Sequence, residues 1–189
     1  MDNVNEFIKS LNISEDEYVV LACSYGPDSM CLLDILIKNG INVVVAHVNH
    51  KLRKESDQEY VDLEEYCLKN NIIFEGSIID KYPKGNIEAY GRSFRYNFFE
   101  SIVKKYKAKY LFTAHHGDDL IETILMRIAR GASLRGYAGF KKNTKLDNYY
   151  LVRPLIYLTK EDILNYVENL DIPYAIDNTN LELIHTRSL

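Results

Sequence analysis

The sequence predicts a doubly wound α/β domain built around a parallel sheet. A short apolar run rich in β-formers, 18–23 (YVVLAC), precedes a turn-forming segment and then apolar residues at helical spacing over 30–37. Asn39 and Gly40 separate this helix from a second apolar run at 41–47. Strand, helix and strand within about 30 residues make a right-handed βαβ unit, which requires parallel strands.

The rest of the chain continues this alternation. Helices are predicted over 56–69, 87–106, 118–130 and 159–170, and Thr159 with Asp162 resembles a capping box at the start of the last one. Further strands are predicted over 71–79, 110–114 and 151–156, whereas 132–148 is predicted to be an exposed loop. Ligands of such folds bind beyond the carboxyl ends of the strands, and the polar motifs lie there.

Composition excludes several classes of protein. With 189 residues, 47% hydrophobic and 26% charged, the chain fits one globular domain and not a disordered, collagen-like or coiled-coil protein. No apolar run approaches the roughly 18 residues of a membrane span, and the acidic amino terminus lacks a secretory signal. Three cysteines without CxxC spacing favour neither a disulfide framework nor a zinc ribbon. We therefore predict a cytoplasmic protein with reduced thiols.

The net charge of −4 hides a basic segment. Between Arg127 and Arg153 there are seven basic residues and one acid, a local charge of +6. Four lysines over 104–109 form a second basic cluster. A nucleic-acid partner is therefore compatible with the acidic whole. For residues 141–145 there is an alternative interpretation, namely that the lysines only keep an exposed loop soluble.

The loop over Ser24–Ser29 is placed to bind phosphate. Backbone N–H groups and a helix amino terminus directly after a strand attract anions, and two serine hydroxyls add donors. Neither GxxxxGK[ST] nor GxGxxG is present, which disfavours P-loop kinases and dinucleotide dehydrogenases. A plain strand-to-helix turn with a capping serine is the alternative.

Two further segments carry candidate functional groups. On a helix, Asp118, Asp119 and Glu122 share part of one surface, so a cation is their natural partner: magnesium with ATP phosphates, or a substrate ammonium. Dipole-favoured acids at an exposed helix start are the alternative. His47 and His50 lack a third metal ligand nearby, so we do not predict a metal site there.

These motifs together resemble a known family. The loop is similar to the Ser-Gly-Gly-x-Asp-Ser signature of the PP-loop ATP pyrophosphatases, with Tyr25 where that pattern has glycine. A side chain at Tyr25 would crowd the pyrophosphate or require a backbone angle natural to glycine. The runs 47–53 (HVNHKLR) and 114–123 (AHHGDDLIET) resemble one branch, the tRNA(Ile)-lysidine synthetases, with Leu120 in place of a usual glutamine. Further matches to this branch follow at 88–99, 127–136, 153–155, 177–180 and 186–187.

The resemblance implies a fold and a reaction. The fold would be the adenine nucleotide α-hydrolase-like, Rossmann-like domain, spanning 1–189 as one catalytic domain without the family's carboxyl-terminal tRNA-binding domains. The reaction would be ATP-dependent ligation of lysine to C2 of the wobble cytidine of isoleucine tRNA with a CAU anticodon. The implied cofactors are ATP and Mg²⁺; the implied partners are that tRNA, free L-lysine and a second copy in a homodimer.

Roles carry over residue by residue. The implied catalytic residues are Asp28, Arg95, His115, Asp119 and Glu122. Those implied to bind ATP are Ala22, Ser24, Tyr25, Gly26, Pro27, Asp28, Ser29, His47, Val48 and Arg130, with Asp28 also holding Mg²⁺. Asp119 and Glu122 would bind lysine, and tRNA would contact Arg127, Arg130, Arg135, Lys141 and Lys142.

Two other functions stay open. One is another PP-loop tRNA-modifying enzyme of the thiolase type, which the absence of paired cysteines disfavours. The other is a catalytically impaired nucleotide- or RNA-binding remnant. This alternative is suggested by Tyr25, by Leu120 and by the end of the chain at Leu189. A fragment and a naturally short protein are equally compatible with that end.

Overall fold

The structure, a computed structural model, describes residues 1–131 and 141–175. The described helices are α1 (Asp2–Ser10), α2 (Pro27–Lys38), α3 (Ser56–Lys69), α4 (Ile87–Lys105), α5 (Gly117–Ala129) and α6 (Lys160–Asn169). The described strands are β1 (Tyr18–Ala22), β2 (Asn42–Asn49), β3 (Ile73–Ile78), β4 (Tyr110–Thr113), β5 (Asn143–Lys145) and β6 (Tyr150–Val152). A short 3-10 helix, Pro154–Tyr157, joins β6 to α6.

The sheet has the order β3-β2-β1-β4-β6-β5. All neighbouring strands pair in parallel except β5, which is antiparallel to β6 at the edge. The chain moves outward from β1 through β2 to β3 and then returns to place β4 on the other side of β1. The connections after β1 and β4 therefore diverge, which opens a crevice at the carboxyl ends of these two strands.

Alternate residues of the central strands build two cores. Val19 and Leu21 of β1 face the apolar cluster that includes α1, α2, α3 and α6, whereas Val20 faces the cluster built on α4. Successive side chains of a strand point to opposite faces, so the sheet is covered by helices on both sides. The sequence prediction of a doubly wound α/β fold is confirmed.

Three local predictions differ from the structure. Helix α1 was not predicted, although Val4, Phe7 and Ile8 form its buried face. The predicted loop 132–148 contains β5, which pairs with β6 through few residues and carries no apolar run. The predicted strand 151–156 is shorter than expected because Pro154, which cannot donate to a ladder, begins the 3-10 helix.

Two findings bear on partners. None of the helices within 1–131 and 141–175 is both long and apolar enough to span a bilayer.

The lysine cluster at 104–109 does not form a free basic patch: Lys104 pairs with Glu100, and Lys105 pairs with Glu75 at 2.5 Å. Lys109 pairs with Glu17. These lysines precede β4 and therefore lie at the sheet edge opposite the crevice.

Candidate functional site

The loop after β1 is closed by its two serines. Ser29 Oγ donates to the Gly26 carbonyl at 2.9 Å and accepts from the Ser24 N–H at 3.2 Å. Ser24 Oγ lies 3.4 Å from Ser29 Oγ and accepts from the Gly26 N–H at 3.4 Å. Pro27 then opens α2, where its missing N–H costs nothing. The loop thus aims a helix amino terminus, with its positive dipole end, into the crevice.

Tyr25 adopts the backbone conformation that the glycine of the pattern would take. Its φ is +65°, in the left-handed region, so the expectation of a glycine-like angle is confirmed. The side chain is only 8% exposed and belongs to the core cluster on the α2 and α3 side of the sheet. Burial, and secondarily the Asp62 carboxylate, raise the pKa of Tyr25. The ring therefore lies in the core and does not line the cavities.

Asp28 in the first turn of α2 forms an ion pair with a distant lysine. Its Oδ1 lies 2.5 Å from Lys160 Nζ, at the first residue of α6. The backbone N–H of Lys160 donates to Asp118 Oδ2 at 2.8 Å. The starts of three helices, α2, α5 and α6, are therefore connected through Lys160.

The end of β2 supplies two neutral imidazoles, the first of which is His47. His47 Nδ1 lies 2.8 Å from the Cys23 carbonyl, which can only accept, so Nδ1 carries the proton. Burial lowers the pKa of His47, and the ring is neutral at pH 7. Its Nε2 is then an acceptor.

His50 reaches the same state through Tyr82. The single hydroxyl proton of Tyr82 goes to the His50 carbonyl at 3.1 Å, so His50 Nδ1 donates to Tyr82 Oη at 2.9 Å. Burial and the Arg95 cation lower the pKa of His50. Gly91 of α4 makes room for the ring, because a Cβ there would lie 3.1 Å from His50 Cε1. A neutral, acceptor-only Nε2 is again the result.

Helix α4 supplies the positive charge of the site. Arg92 and Arg95 lie three residues apart, and both line the crevice. The guanidinium of Arg92 lies 5.4 Å from the ring centroid of Tyr96, a cation–π distance that orients it. Two guanidiniums at the carboxyl edge of the sheet suit a polyphosphate.

The segment entering α5 brings the third motif to the crevice. His115 Nδ1 lies 3.0 Å from Thr113 Oγ1, and desolvation, with the Arg153 and Arg95 cations, lowers the pKa of His115. Asp119 Oδ2 accepts the His116 N–H at 2.9 Å, which caps the helix, and Asp119 lines the smaller cavity. Glu122, one turn further on, is exposed to solvent.

These groups surround two adjoining cavities. The larger, of about 720 Å³, lies between β2, α3 and α4; the smaller, of about 290 Å³, includes Asp28, Ser29, His115 and Asp119. Both cavities are lined by Ser24, His47, Val48, His50, Arg92 and Arg95. The three motifs, which come from β1, β2 and β4, thus converge on one continuous space large enough for a nucleotide and a second substrate.

Comparison with known proteins identifies the family. A family model described as a PP-loop domain matches residues 1–189. The chain belongs to the PP-loop family. The tRNA(Ile)-lysidine synthase of Bacillus cereus is 38% identical over 201 residues, and that of Bacillus subtilis is 35% identical over 198 residues. Each alignment covers 100% of this chain and 42% of the relative, so the chain spans less than half the length of these proteins.

A solved structure agrees in fold. The U34-tRNA thiolase NcsA from Methanococcus maripaludis, solved with its [4Fe-4S] cluster, has a TM-score of 0.76 and 16% identity. The match covers 92% of this chain and 64% of that one. At this identity the likeness shows the PP-loop fold alone.

The structure places the predicted PP-loop site residues in three groups. Those that line the two cavities are Ala22, Ser24, Asp28, Ser29, His47, Val48, Arg95, His115 and Asp119. Tyr25, Gly26 and Pro27 form the loop itself without lining the cavities. Neither cavity is lined by Glu122, Arg127, Arg130, Lys141 or Lys142.

The described basic residues that were predicted to contact ATP or tRNA have other surroundings. Arg130 follows Asp119 by eleven residues, about 16 Å along the axis of α5, and is not among the residues that line the two cavities. Its contact with ATP stays a prediction. The Lys142 ammonium packs over Phe7 at 4.8 Å and donates to Tyr157 Oη at 3.0 Å. Lys141 is exposed. Arg135 and the motifs at 177–180 and 186–187 lie outside the described residues.

Sequence reasoning missed Lys160 and Tyr82 as members of the site. Lys160 is separated from Asp28 by 132 positions, and only the packing of α6 beside α2 brings the two together. The sequence offers one weak signal. A lysine at the amino terminus of a helix is unfavourable next to the positive end of the dipole, which suggests an anionic partner elsewhere. Arg92 lies in the matched run 88–99 but is not among the predicted site residues, although its three-residue spacing from Arg95 places both on one helical face.

Proposed function

We propose that this chain carries the catalytic site for ATP-dependent ligation of lysine to C2 of the wobble cytidine of isoleucine tRNA with a CAU anticodon. The observation that supports this most is the convergence of three motif-bearing strand ends on one pair of cavities sharing six lining residues. The lysidine synthase relatives, 35–38% identical, match over the whole chain. A ligase role follows from that proposal.

The first step transfers AMP to O2 of the cytosine. The O2 atom attacks the α-phosphorus of ATP, the bond to the β-phosphate oxygen breaks, and pyrophosphate leaves with the electron pair. The serine-closed loop and Arg95 face the negative charge that grows on the pyrophosphate. His47 and Val48, at the end of β2, would border the adenine, whose amino group needs an acceptor such as Nε2 of a neutral imidazole.

Mg²⁺ fits the donor set at one position. Asp28 is a carboxylate that lines the phosphate cavity, and Mg²⁺ in nucleotide sites is held by one or two carboxylates together with phosphate oxygens. When bound there, the ion would offset charge on the phosphates. Lys160, which pairs with Asp28 Oδ1 in this structure, would compete with the ion for that carboxylate.

The second step forms the carbon–nitrogen bond. The neutral ε-amine of lysine attacks C2, and AMP leaves with the electrons of the C2–O2 bond. Asp119, which lines the smaller cavity, and Glu122 would attract the lysine ammonium. His115, which its lowered pKa keeps neutral at pH 7, is placed to take the proton that the amine must lose.

Contact with tRNA is assigned to the basic segment that starts at Arg127. Arg127, Arg130, Arg135, Lys141 and Lys142 belong to the +6 stretch between 127 and 153. Phosphate contacts through these residues would make tRNA binding weaken as salt rises. Cytoplasmic location and a homodimer stay predictions.

A thiolase reaction is disfavoured by the state of the cysteines. Cys23, Cys31 and Cys67 are buried free thiols. Burial raises the pKa of Cys23, and it raises the pKa of Cys31 and of Cys67 to about 12. Catalytic sulfur chemistry needs an accessible thiolate, so these three residues serve packing instead.

Labelled lysine tests the reaction. We expect incubation with ATP, Mg²⁺, radiolabelled lysine and a CAU isoleucine tRNA transcript to give labelled tRNA and one pyrophosphate per lysine joined. The matched control is the same transcript with uridine at the wobble position, which should stay unlabelled. Absence of both label and pyrophosphate would favour the remnant alternative, whereas label in the control transcript would contradict the proposed substrate.

Replacing Glu122 tests the assignment of the lysine site. We expect Glu122→Gln to raise the KM for lysine about tenfold, because one carboxylate facing the ammonium is lost, and to leave the KM for ATP nearly unchanged. Steady-state pyrophosphate release measures both constants. Glu168→Gln, an exposed acid on α6, serves as the matched control. Equal changes in the two KM values would refute this division of roles.

A further inference from the structure

Lys160 is held in place by contacts of its own backbone. Its N–H donates to Asp118 Oδ2 at 2.8 Å, and the adjoining Gly117 N–H donates to the Leu158 carbonyl at 2.8 Å. A Cβ at Gly117 would lie 2.9 Å from that carbonyl oxygen and 3.2 Å from the one of Ile156, so the two segments meet closely. Because this junction fixes the first turn of α6 against α5, the Lys160 side chain is directed at the PP-loop.

The ammonium of Lys160 is paired with a carboxylate that lines the smaller cavity. It lies 2.5 Å from Asp28 Oδ1, and Asp28 lines the cavity that also contains Ser24 and Ser29. Lys160 and a divalent ion compete for the same carboxylate. A lysine displaced from Asp28 remains within reach of the loop, since its four-carbon stem pivots about a fixed backbone.

We propose that Lys160 is a phosphate ligand of the nucleotide site: it holds Asp28 in the nucleotide-free protein and moves to the β- and γ-phosphates of ATP when Mg²⁺ binds Asp28. This rests on the proposed ATP-dependent function. Lysine binds phosphate as a mobile point charge, which suits a group that changes partner. In the exchange Asp28 would lose the ammonium and gain Mg²⁺, and the phosphates would gain the ammonium, so no anionic group is left without a cation.

A second lysine between the same two helices provides a contrast. Lys38 Nζ lies 2.8 Å from Asp34 Oδ2 on α2 and 3.3 Å from Tyr166 Oη on α6. Tyr166 Oη in turn donates to Asp34 Oδ2 at 2.6 Å. Lys38 is ten residues from Asp28, about 15 Å along α2, and thus remote from the cavities. It joins α2 to α6 without facing a ligand site, so it is a matched control.

Equilibrium binding tests the proposal. We expect Lys160→Met to weaken binding of MgATP about 10- to 100-fold, the effect of losing a hydrogen bond to a charged group. The MgATP affinity of Lys160→Arg should stay within a few fold of the parent's. The MgATP affinity of Lys38→Met should equal the parent's. Titration with Mn²⁺ alone, a paramagnetic stand-in for Mg²⁺, should show affinity for Lys160→Met equal to or higher than the parent's, because the competing ammonium is gone.

Two results would overturn the proposal. One is unchanged MgATP binding by Lys160→Met; the other is an equal loss in Lys160→Met and Lys38→Met, which would reveal a merely structural junction. The assay needs neither tRNA nor lysine. If the parent protein ligates lysine normally and Lys160→Met binds MgATP as the parent does, only the role of Lys160 is refuted. If Lys160→Met loses MgATP binding but the parent protein does not ligate lysine, only the proposed reaction is refuted.

Discussion

Replacing Asp28 with alanine is expected to abolish ATP turnover, with pyrophosphate release falling at least about 100-fold. The carboxylate lies in the first turn of α2, lines the phosphate cavity, and is the group to which we assign Mg²⁺. Its removal also leaves Lys160 without the anion that now orients it. Both losses reduce stabilisation of the charge that develops on the departing pyrophosphate. A coupled pyrophosphate assay over a range of ATP concentrations measures the effect.

A matched acid on the same helix separates catalysis from folding. Asp34 pairs with Lys38 and accepts from Tyr166, so Asp34→Ala breaks an equivalent ion pair away from the cavities. We expect it to retain pyrophosphate release, with thermal unfolding similar to that of Asp28→Ala. Asp28→Asn, which keeps the shape of the side chain, should be as inactive as the alanine variant. Undiminished pyrophosphate release by Asp28→Ala would contradict the assignment of the loop.

The central elements were predictable because local pattern and tertiary environment agree there. The apolar runs of β1 and β4 are buried on both faces, so continuous hydrophobicity identified them. The edge strand β5 carries the residues Asn143, Thr144 and Lys145 and exists only through pairing with β6. Helix α1 has a short amphipathic pattern whose burial depends on contacts with the distant 3-10 helix. Such elements are decided by partners that a local window does not contain.

The site, like the fold, was predictable from the sequence where local pattern identifies the residues, and not where distant packing brings them together. Residues on the loops after β1, β2 and β4 were found because each follows a recognisable strand, and parallel strands bring their carboxyl ends together. Lys160 was not found, because its role depends on which helix packs beside α2. The three acids at the start of α5 have different contacts, which the sequence did not predict. Asp118 accepts a hydrogen bond from the Lys160 N–H, Asp119 caps α5, and Glu122 is exposed to solvent. The three carboxylates are close in sequence but have different contacts, and only Asp119 and Glu122 are assigned to the proposed lysine site.

Replacing Tyr25 with glycine, the residue that the family pattern carries, is expected to destabilise the protein by about 3 kcal/mol. Truncating a buried aromatic side chain costs about 3–5 kcal/mol, and Tyr25 is 8% exposed within the core. Relief of the left-handed backbone at φ +65° returns about 1 kcal/mol. The loss of packing therefore outweighs the gain in backbone conformation. Urea unfolding measures the change as a lower midpoint.

Comparison of three variants separates the ring from the backbone. Tyr25→Ala loses the ring but keeps the left-handed strain, so it should be less stable than Tyr25→Gly by about 1 kcal/mol. Tyr25→Phe keeps the packing and should stay within about 1 kcal/mol of the parent. Since the ring points into the core, MgATP affinity should be unchanged in all folded variants. A Tyr25→Gly protein of parental stability with tighter MgATP binding would instead show that the side chain crowds the phosphates.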